Sequence, residues 1–267
     1  MIKNLKKLKK FERIWIITFF VLILGTTIFF SFDETNFKDV NSIILNFIIS
    51  PISAITGIVC VLLVAKGKIS NYVWGLINAI AYGYISYKCG YYGDMLLNLI
   101  WFVPMQFIGF IFWKKLLKKD SKTDVKMKRL NKKQFIIMLG VGLIFTIVFG
   151  LVLYYVDGWI IEAMKRNVSI YQYVNQITRI PFLGEILDAS TETLQIIATL
   201  LMTFAYREQW MFWILTNVIT IGLWVIVIIA DPTTISFVAP ILIMWIAYLI
   251  NSVYGYIEWT KGSENYA

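Results

Sequence analysis

Two 27-residue stretches of this chain, Ile52 to Asn78 and Thr191 to Asn217, align without a gap, and both lie in apolar sequence of membrane-crossing length. The alignment sets Trp74 on Trp213 and Asn78 on Asn217, a shared W-x-x-x-N unit at the start of a helix. Farther along, Gly109-x-x-x-Trp113 matches Gly255-x-x-x-Trp259 near the end of another helix, so each copy is expected to contain three spans. Inside a bilayer only helices and closed barrels satisfy their own backbone, and long apolar blocks select the helix. A duplicated apolar unit with polar and aromatic residues at matching depth is a common plan for carriers that bind a substrate between the copies.

Composition agrees with a membrane solvent. Hydrophobic residues make up 59% of the chain and its mean hydropathy is +0.71, against roughly 45–50% apolar content in soluble domains. The excess falls in eight predicted spans: Ile14 to Phe30, Ile43 to Ala65, Tyr72 to Tyr87, Met95 to Leu117, Phe135 to Val156, Ile186 to Tyr206, Trp210 to Ala230 and Ile235 to Trp259. The net charge of +9 follows their connections. With a cytoplasmic N-terminus, 20 of the 25 Lys and Arg fall on inner segments, chiefly 3 to 13 and 114 to 133, and five on outer ones: Lys38, Lys88, Lys165, Arg166 and Arg179. That bias predicts a multi-pass protein of the cell membrane with both termini in the cytoplasm. The basic runs read as topology signals and anionic-lipid contacts, and nucleic acid is not an expected partner. The N-terminal basic-then-apolar layout resembles a secretory signal, but no small-residue cleavage pattern follows, so an uncleaved span is expected. Cys60 and Cys89 lack C-x-x-C spacing and read as packing residues.

These elements predict an all-α, polytopic helix bundle. Residues 1–42 hold a basic N-terminus and an extra span, and 43–117 the first three-helix repeat. Residues 118–185 hold a basic cytoplasmic loop, a linking helix at Phe135 to Val156 and an extracellular segment. The second repeat covers 186–259, and 260–267 form a cytoplasmic tail. An odd number of spans per repeat requires the single linking helix if both copies point the same way, which gives two parallel repeats about an axis along the membrane normal. The outer segment, Asp157 to Glu185, reads either as an amphipathic stretch on the membrane surface or as a disordered one. A homo-oligomer is compatible with this plan.

Much chemistry is excluded. The chain has no His, which removes histidine bases, His-containing metal sites and His-based triads. Walker, G-x-G-x-x-G and G-x-S-x-G patterns are absent, so neither ATP-driven pumping nor a common cofactor is expected. No catalytic residue, metal or cofactor is assigned. The candidate site is a substrate pocket. Trp210, Trp213 and Asn217 are spaced i, i+3, i+7, two indoles and an amide on one helical face, suited to a flat hydrogen-bonding ligand. An aromatic belt at the lipid headgroups is the alternative, weakened by an Asn one turn deeper that must find a partner. Trp74, Asn78 and Tyr82 repeat the arrangement in the third span. Asn98, Trp101 and Gln106 follow in the fourth, with Pro104 predicted to kink it. Asp188, Thr191, Glu192, Gln195 and Thr199 form a polar stripe on the sixth, expected to face the bundle interior, with Asp188 and Glu192 near its outer mouth.

The segments Tyr92-Gly93-Asp94-Met95-Leu96-Leu97-Asn98 through Pro104-Met105-Gln106 and Gly109-Phe110-Ile111-Phe112-Trp113, Glu208-Gln209-Trp210-Met211-Phe212-Trp213 through Asn217, and Asn251-x-x-Tyr254-Gly255-x-x-x-Trp259 resemble the PnuC-type nicotinamide riboside transporters. The resemblance covers Ser50 to Trp259. It implies a three-plus-one-plus-three helix fold related to the SWEET sugar carriers, and facilitated diffusion of a vitamin-derived nucleoside that intracellular phosphorylation then retains. It also implies that Trp210 and Trp213 sandwich an aromatic base while Asn217, Asn98 and Gln106 bind polar groups. Relatives carry thiamine, riboflavin or deoxynucleosides, so the small-molecule substrate stays open here. A rival of another class is a membrane-embedded enzyme or sensor subunit, which would alter its ligand instead of passing it.

The charge bias fixes one outcome. In a chain with Cys60 and Cys89 replaced by Ser, a Lys122→Cys site is expected to resist membrane-impermeant thiol reagents on whole cells. Labelling from outside would overturn the orientation.

Overall fold

The computed structural model describes residues 8–34, 39–117, 125–164 and 170–264. Lys3, Lys6, Lys7, Lys38, Lys118, Lys119, Lys122, Lys165 and Arg166, used above for orientation, lie outside the described residues. Helices account for nearly all of it: α1 (Lys10–Glu34), α2 (Val40–Ala65), α3 (Asn71–Cys89), α4 (Tyr92–Lys115), α5 (Lys132–Met164), the short α6 (Ile170–Thr178), α7 (Leu183–Thr203), α8 (Gln209–Ala230) and α9 (Ile235–Glu264).

Large apolar side chains face outward, Phe29 being 72% exposed and Tyr155 76%, while Asn217, Gln195 and Ser53 are buried. A water-soluble protein could not hold this inverted distribution, but a bilayer requires it. Among the described residues, six helices are long and apolar enough to cross a membrane: α1, α2, α4, α5, α8 and α9. The expected third and sixth spans, α3 and α7, fall short of that measure. Both carry polar residues, and these lie mostly on buried faces.

Helix packing closes a ring. Neighbours run α2, α3, α4, α7, α8, α9 and back to α2, while α1 lies outside against α9 and α2, and α5 lies outside against α7. Two ring helices widen just ahead of a proline. Leu45–Ile49 is a π-helical turn before Pro51, and Leu97–Phe102 another before Pro104. Proline has no N–H and its ring crowds the preceding turn, and a wider turn accommodates it.

Paired contacts fasten one end of the ring. Trp113 on α4 donates its indole N–H to Met202 O at the end of α7 (2.8 Å), and Trp259 on α9 donates to Val64 O and Ala65 O at the end of α2 (3.1 Å each). The Tyr72 ring packs on Gly109, and the Trp210 ring on Gly255; a Cβ at 255 would lie 2.5 Å from that indole. At the same end the α2–α3 turn passes through Gly67 (φ 63°) and the α7–α8 turn through Ala205 (φ 60°). Residues 125–130 cross both turns. Val125 N–H bonds to Gly67 O (3.1 Å), Lys128 N–H to Ala205 O (2.7 Å) and Arg207 N–H back to Lys128 O (2.9 Å).

The expected surface segment is placed differently. Helix α5 continues past Val156, so Asp157 is buried within it. Helix α6 turns Ile170, Tyr171 and Val174 into the largest apolar cluster, and Tyr171 donates to Asp188 (2.7 Å). Its apolar side is absorbed by α7 and α8 instead of lipid.

Helix α1 is tied to the ring by Glu12, which is fully buried. Its carboxylate accepts from Lys66 Nζ (2.7 Å), Tyr254 Oη (2.7 Å) and Lys9 N–H (2.7 Å). Removing one partner of a buried pair leaves the other uncompensated, an effect of roughly 3 kcal/mol. Glu12→Ala is therefore expected to lower the thermal midpoint in detergent, and Glu12→Ala with Lys66→Met to recover part of it. Unchanged stability in the single variant would show that α1 is held by apolar packing alone.

Candidate functional site

The six ring helices enclose a cavity whose empty space, open mouth and solvent included, is about 800 Å³. Among the described residues its wall holds aromatic and amide side chains, with no Lys, Arg, Asp or Glu. Helix α3 contributes Gly75, Asn78, Ala79 and Tyr82; α4 contributes Asn98, Phe102 and Gln106; α7 contributes Gln195, Thr199 and Met202. Trp210, Trp213 and Asn217 come from α8, and Met244, Trp245, Tyr248 and Ser252 from α9.

Several wall atoms have unused bonding capacity. Asn217 Nδ2 donates to Ser252 Oγ (2.9 Å), which leaves its Oδ1 buried with no protein partner. Gln106 donates to Phe102 O (3.1 Å), and its Oε1 is likewise unpartnered, as is Trp210 Nε1. Buried polar atoms are almost always bonded; Trp245 Nε1 is a further unpartnered wall donor, and Gln106 Oε1 is packed over Gly75, 2.5 Å from where a Cβ would stand there. The Trp213 ring packs beside Phe102, with centroids 6.3 Å apart and planes tilted by 32°. Trp210 is set more deeply, edge-on to Trp259 at 6.0 Å.

Of the residues singled out in the sequence, Trp210, Trp213, Asn217, Asn78, Tyr82, Asn98, Gln106 and Gln195 meet in this wall. Five do not. Trp74 is half-buried away from the cavity, where Gly75 lines instead. Trp101 gives way to Phe102 because the π turn holds more residues per turn, which brings i and i+4 onto one face: Asn98, Phe102 and Gln106. Thr191 is buried with its hydroxyl bonded to Asp188 O (2.8 Å). Asp188 and Glu192 are not at an open mouth. Both are 1% exposed and lie behind the wall with Asp94, one oxygen of each within 4.8 Å of the others. Helix α6 and the Tyr171 hydroxyl cover that side, which sequence reading had left on the membrane surface.

Those three carboxylates are the one cluster among the described residues dense enough in acidic oxygens for a metal ion. Hydrogen bonds already organise it: Tyr82 to Asp94 (2.8 Å), Gln195 to Asp94 (3.3 Å) and Tyr171 to Asp188. Two of the donors, Tyr82 and Gln195, are wall residues, so Asp94 positions cavity side chains without touching the cavity.

Sequence reading missed the contribution of α9. A signal was available: Trp245, Tyr248 and Ser252 stand at i, i+3, i+7, the spacing of Trp210, Trp213 and Asn217. Phe102 and Gly75 gave no comparable signal, since one depends on a π turn and the other on having no side chain.

A lipid-facing helix ring around an uncharged aromatic and amide cavity defines a membrane transporter of small molecules. Residues 47–261 match the family profile described as Nicotinamide mononucleotide transporter. The chain is 37% identical over 216 residues to the nicotinamide riboside transporter PnuC of Neisseria mucosa, covering 80% of this chain and 72% of that protein. It is 34% identical over 211 residues to the PnuC of Haemophilus influenzae, covering 79% and 78%. A crystal structure of the vitamin B3 transporter PnuC superposes with a TM-score of 0.70 at 32% identity, over 97% of this chain and 94% of that one. The chain belongs to this family of transporters.

Proposed function

We propose that this chain carries nicotinamide riboside across the cell membrane by facilitated diffusion, and that phosphorylation by a separate cytoplasmic enzyme retains the product. The observation that carries the reading is the cavity wall. Its aromatic faces suit a flat pyridinium ring, and a cation against an indole gains about 1–2 kcal/mol when desolvated. The family profile is named for the mononucleotide and the relatives for the riboside, and the wall favours the riboside. A phosphate would enter a cavity with no Lys or Arg, and a buried anion without a partner is strongly unfavourable. The wall also lacks Asp and Glu that could exchange a proton with the cavity directly.

The proposed architecture is two parallel three-helix repeats, α2–α4 and α7–α9, joined by α5. Advancing three places around the ring maps every neighbouring pair onto another. The paired contacts support this, with one amendment to the sequence alignment. Trp113 reaches Met202 while Trp259 reaches Val64, and Gly109 meets Tyr72 while Gly255 meets Trp210, which sets the first two helices at an offset of 138 residues and the third at 146. The gapless alignment, at 139, is one residue out of step. In the amended register Gly75 corresponds to Trp213, Ala79 to Asn217, Phe102 to Tyr248 and Gln106 to Ser252, all in the wall. Trp74 then corresponds to Phe212, which α5 covers through Phe135, and no equivalent of α5 covers Trp74. Both termini and residues 125–130 are proposed to face the cytoplasm, from the charge bias.

Trp213→Ala is expected to weaken nicotinamide riboside binding by roughly 1–3 kcal/mol, the loss of one stacked aromatic, with little change in thermal midpoint. Trp210→Ala should show a similar loss together with lower stability, because its ring fills the space over Gly255. Wild-type affinity in both would reduce the indoles to a packing role.

Transport itself separates carrier from enzyme or sensor. Purified protein in empty liposomes should equilibrate labelled, chemically unaltered nicotinamide riboside without a proton or sodium gradient. Accumulation above the outside concentration under an imposed gradient, abolished by Glu192→Gln, would replace uniport with coupled transport.

A further inference from the structure

Five amide side chains line the cavity, and the protein fixes which way each one points. Asn78 donates Nδ2 to Ser53 O (2.9 Å), Asn98 to Asp94 O (2.7 Å) and Gln106 Nε2 to Phe102 O (3.1 Å). Turning any of these amides over would set its oxygen against a backbone carbonyl, so the bonding network determines the orientation. Gln195 gives its Nε2 to the Asp94 carboxylate (3.3 Å). Asn217 donates to Ser252 Oγ, whose own hydrogen is committed to Tyr248 O (2.8 Å), so Ser252 can only accept there.

The hydroxyls are committed in the same sense. Tyr82 donates to Asp94 and accepts from Trp224 Nε1 (3.0 Å), and Thr199 donates to Gln195 O (2.7 Å). Unpartnered oxygens remain at Gln106 and Asn217, and unpartnered indole donors at Trp210 and Trp245. The five amides thus spend their N–H groups on the protein and contribute oxygens to a wall that, among the described residues, holds no cation.

We propose that the cavity selects its ligand by charge and hydrogen-bond polarity. It accepts a cationic ring bearing N–H and O–H donors and rejects the same nucleoside when the ring carboxamide is a carboxylate. The inference rests on the transport reading above and deepens it. A carboxamide offers two N–H groups to the amide oxygens and one carbonyl oxygen to a donor such as Trp210 Nε1. A carboxylate offers only acceptors. It would enter a wall whose amides are held with their N–H groups turned to the protein, with no cation to offset its charge.

The test is titration calorimetry on the purified full-length chain with nicotinamide riboside and nicotinic acid riboside. The acid is expected to bind about 100-fold more weakly or worse, the scale of discrimination reached when a site's buried polar groups mismatch a ligand. Equal affinity for amide and acid would overturn the selection rule and leave the transport reading intact, whereas no binding of nicotinamide riboside would fail that reading itself. Gln106→Lys places a cation in the wall and is expected to shrink the amide-over-acid ratio by about tenfold or more. An unchanged ratio in a folded Gln106→Lys protein would show that wall polarity is not the selector. The wild-type comparison decides the matter if that variant does not fold.

Discussion

A polar side chain in hydrocarbon must find its partner within the protein, and this requirement organises the bundle. Asn78, Asn98, Gln106, Gln195 and Asn217 sit on helices bordered by lipid, and each turns inward to a carbonyl, a carboxylate or a hydroxyl. Six helices that each bring polar groups to one side have a stable arrangement in a closed ring, with apolar faces outward. The cavity is where those inward faces meet without filling the space. Binding capacity is thus a by-product of how the helices avoid exposing polar groups to lipid.

The same requirement explains what could be read in the sequence. Helix number and approximate limits were legible, because apolar blocks of bilayer length admit few alternatives. The inward faces of α3, α7 and α8 were legible because amides at helical spacing are conspicuous in apolar sequence. Failures came where the backbone departs from a regular helix or where helices meet. Regular helical spacing points to Trp101, and the π turn that puts Phe102 in the wall leaves no clear mark in the sequence beyond the proline that follows it. A sequence alignment rewards matching tryptophans and so points to Trp74, whereas the register proposed from the turns at Gly67 and Ala205 pairs Gly75 with Trp213. Asp94 was quoted only within a family motif, since its partners Tyr82 and Gln195 lie on other helices.

Under the proposed repeat the two halves differ at the cavity. Gly75 stands where the second half has Trp213, and the space over Gly75 is taken by Gln106 Oε1, 2.5 Å from where a Cβ would stand. Gly57 on the first-half helix corresponds to Gln195, and a Cβ at Gly57 would collide with the Tyr248 hydroxyl.

The crossing segment at residues 125–130 has a mechanical consequence. Its backbone bonds join the Gly67 turn of one half to the Ala205 turn of the other, and such bonds tolerate only a few tenths of an ångström of stretch. The two turns therefore cannot drift apart gradually. Separation at this end is a stepwise rupture that gives up about 1 kcal/mol for each bond lost. The segment thus acts as a detent that holds the joined arrangement of the two turns as a discrete position.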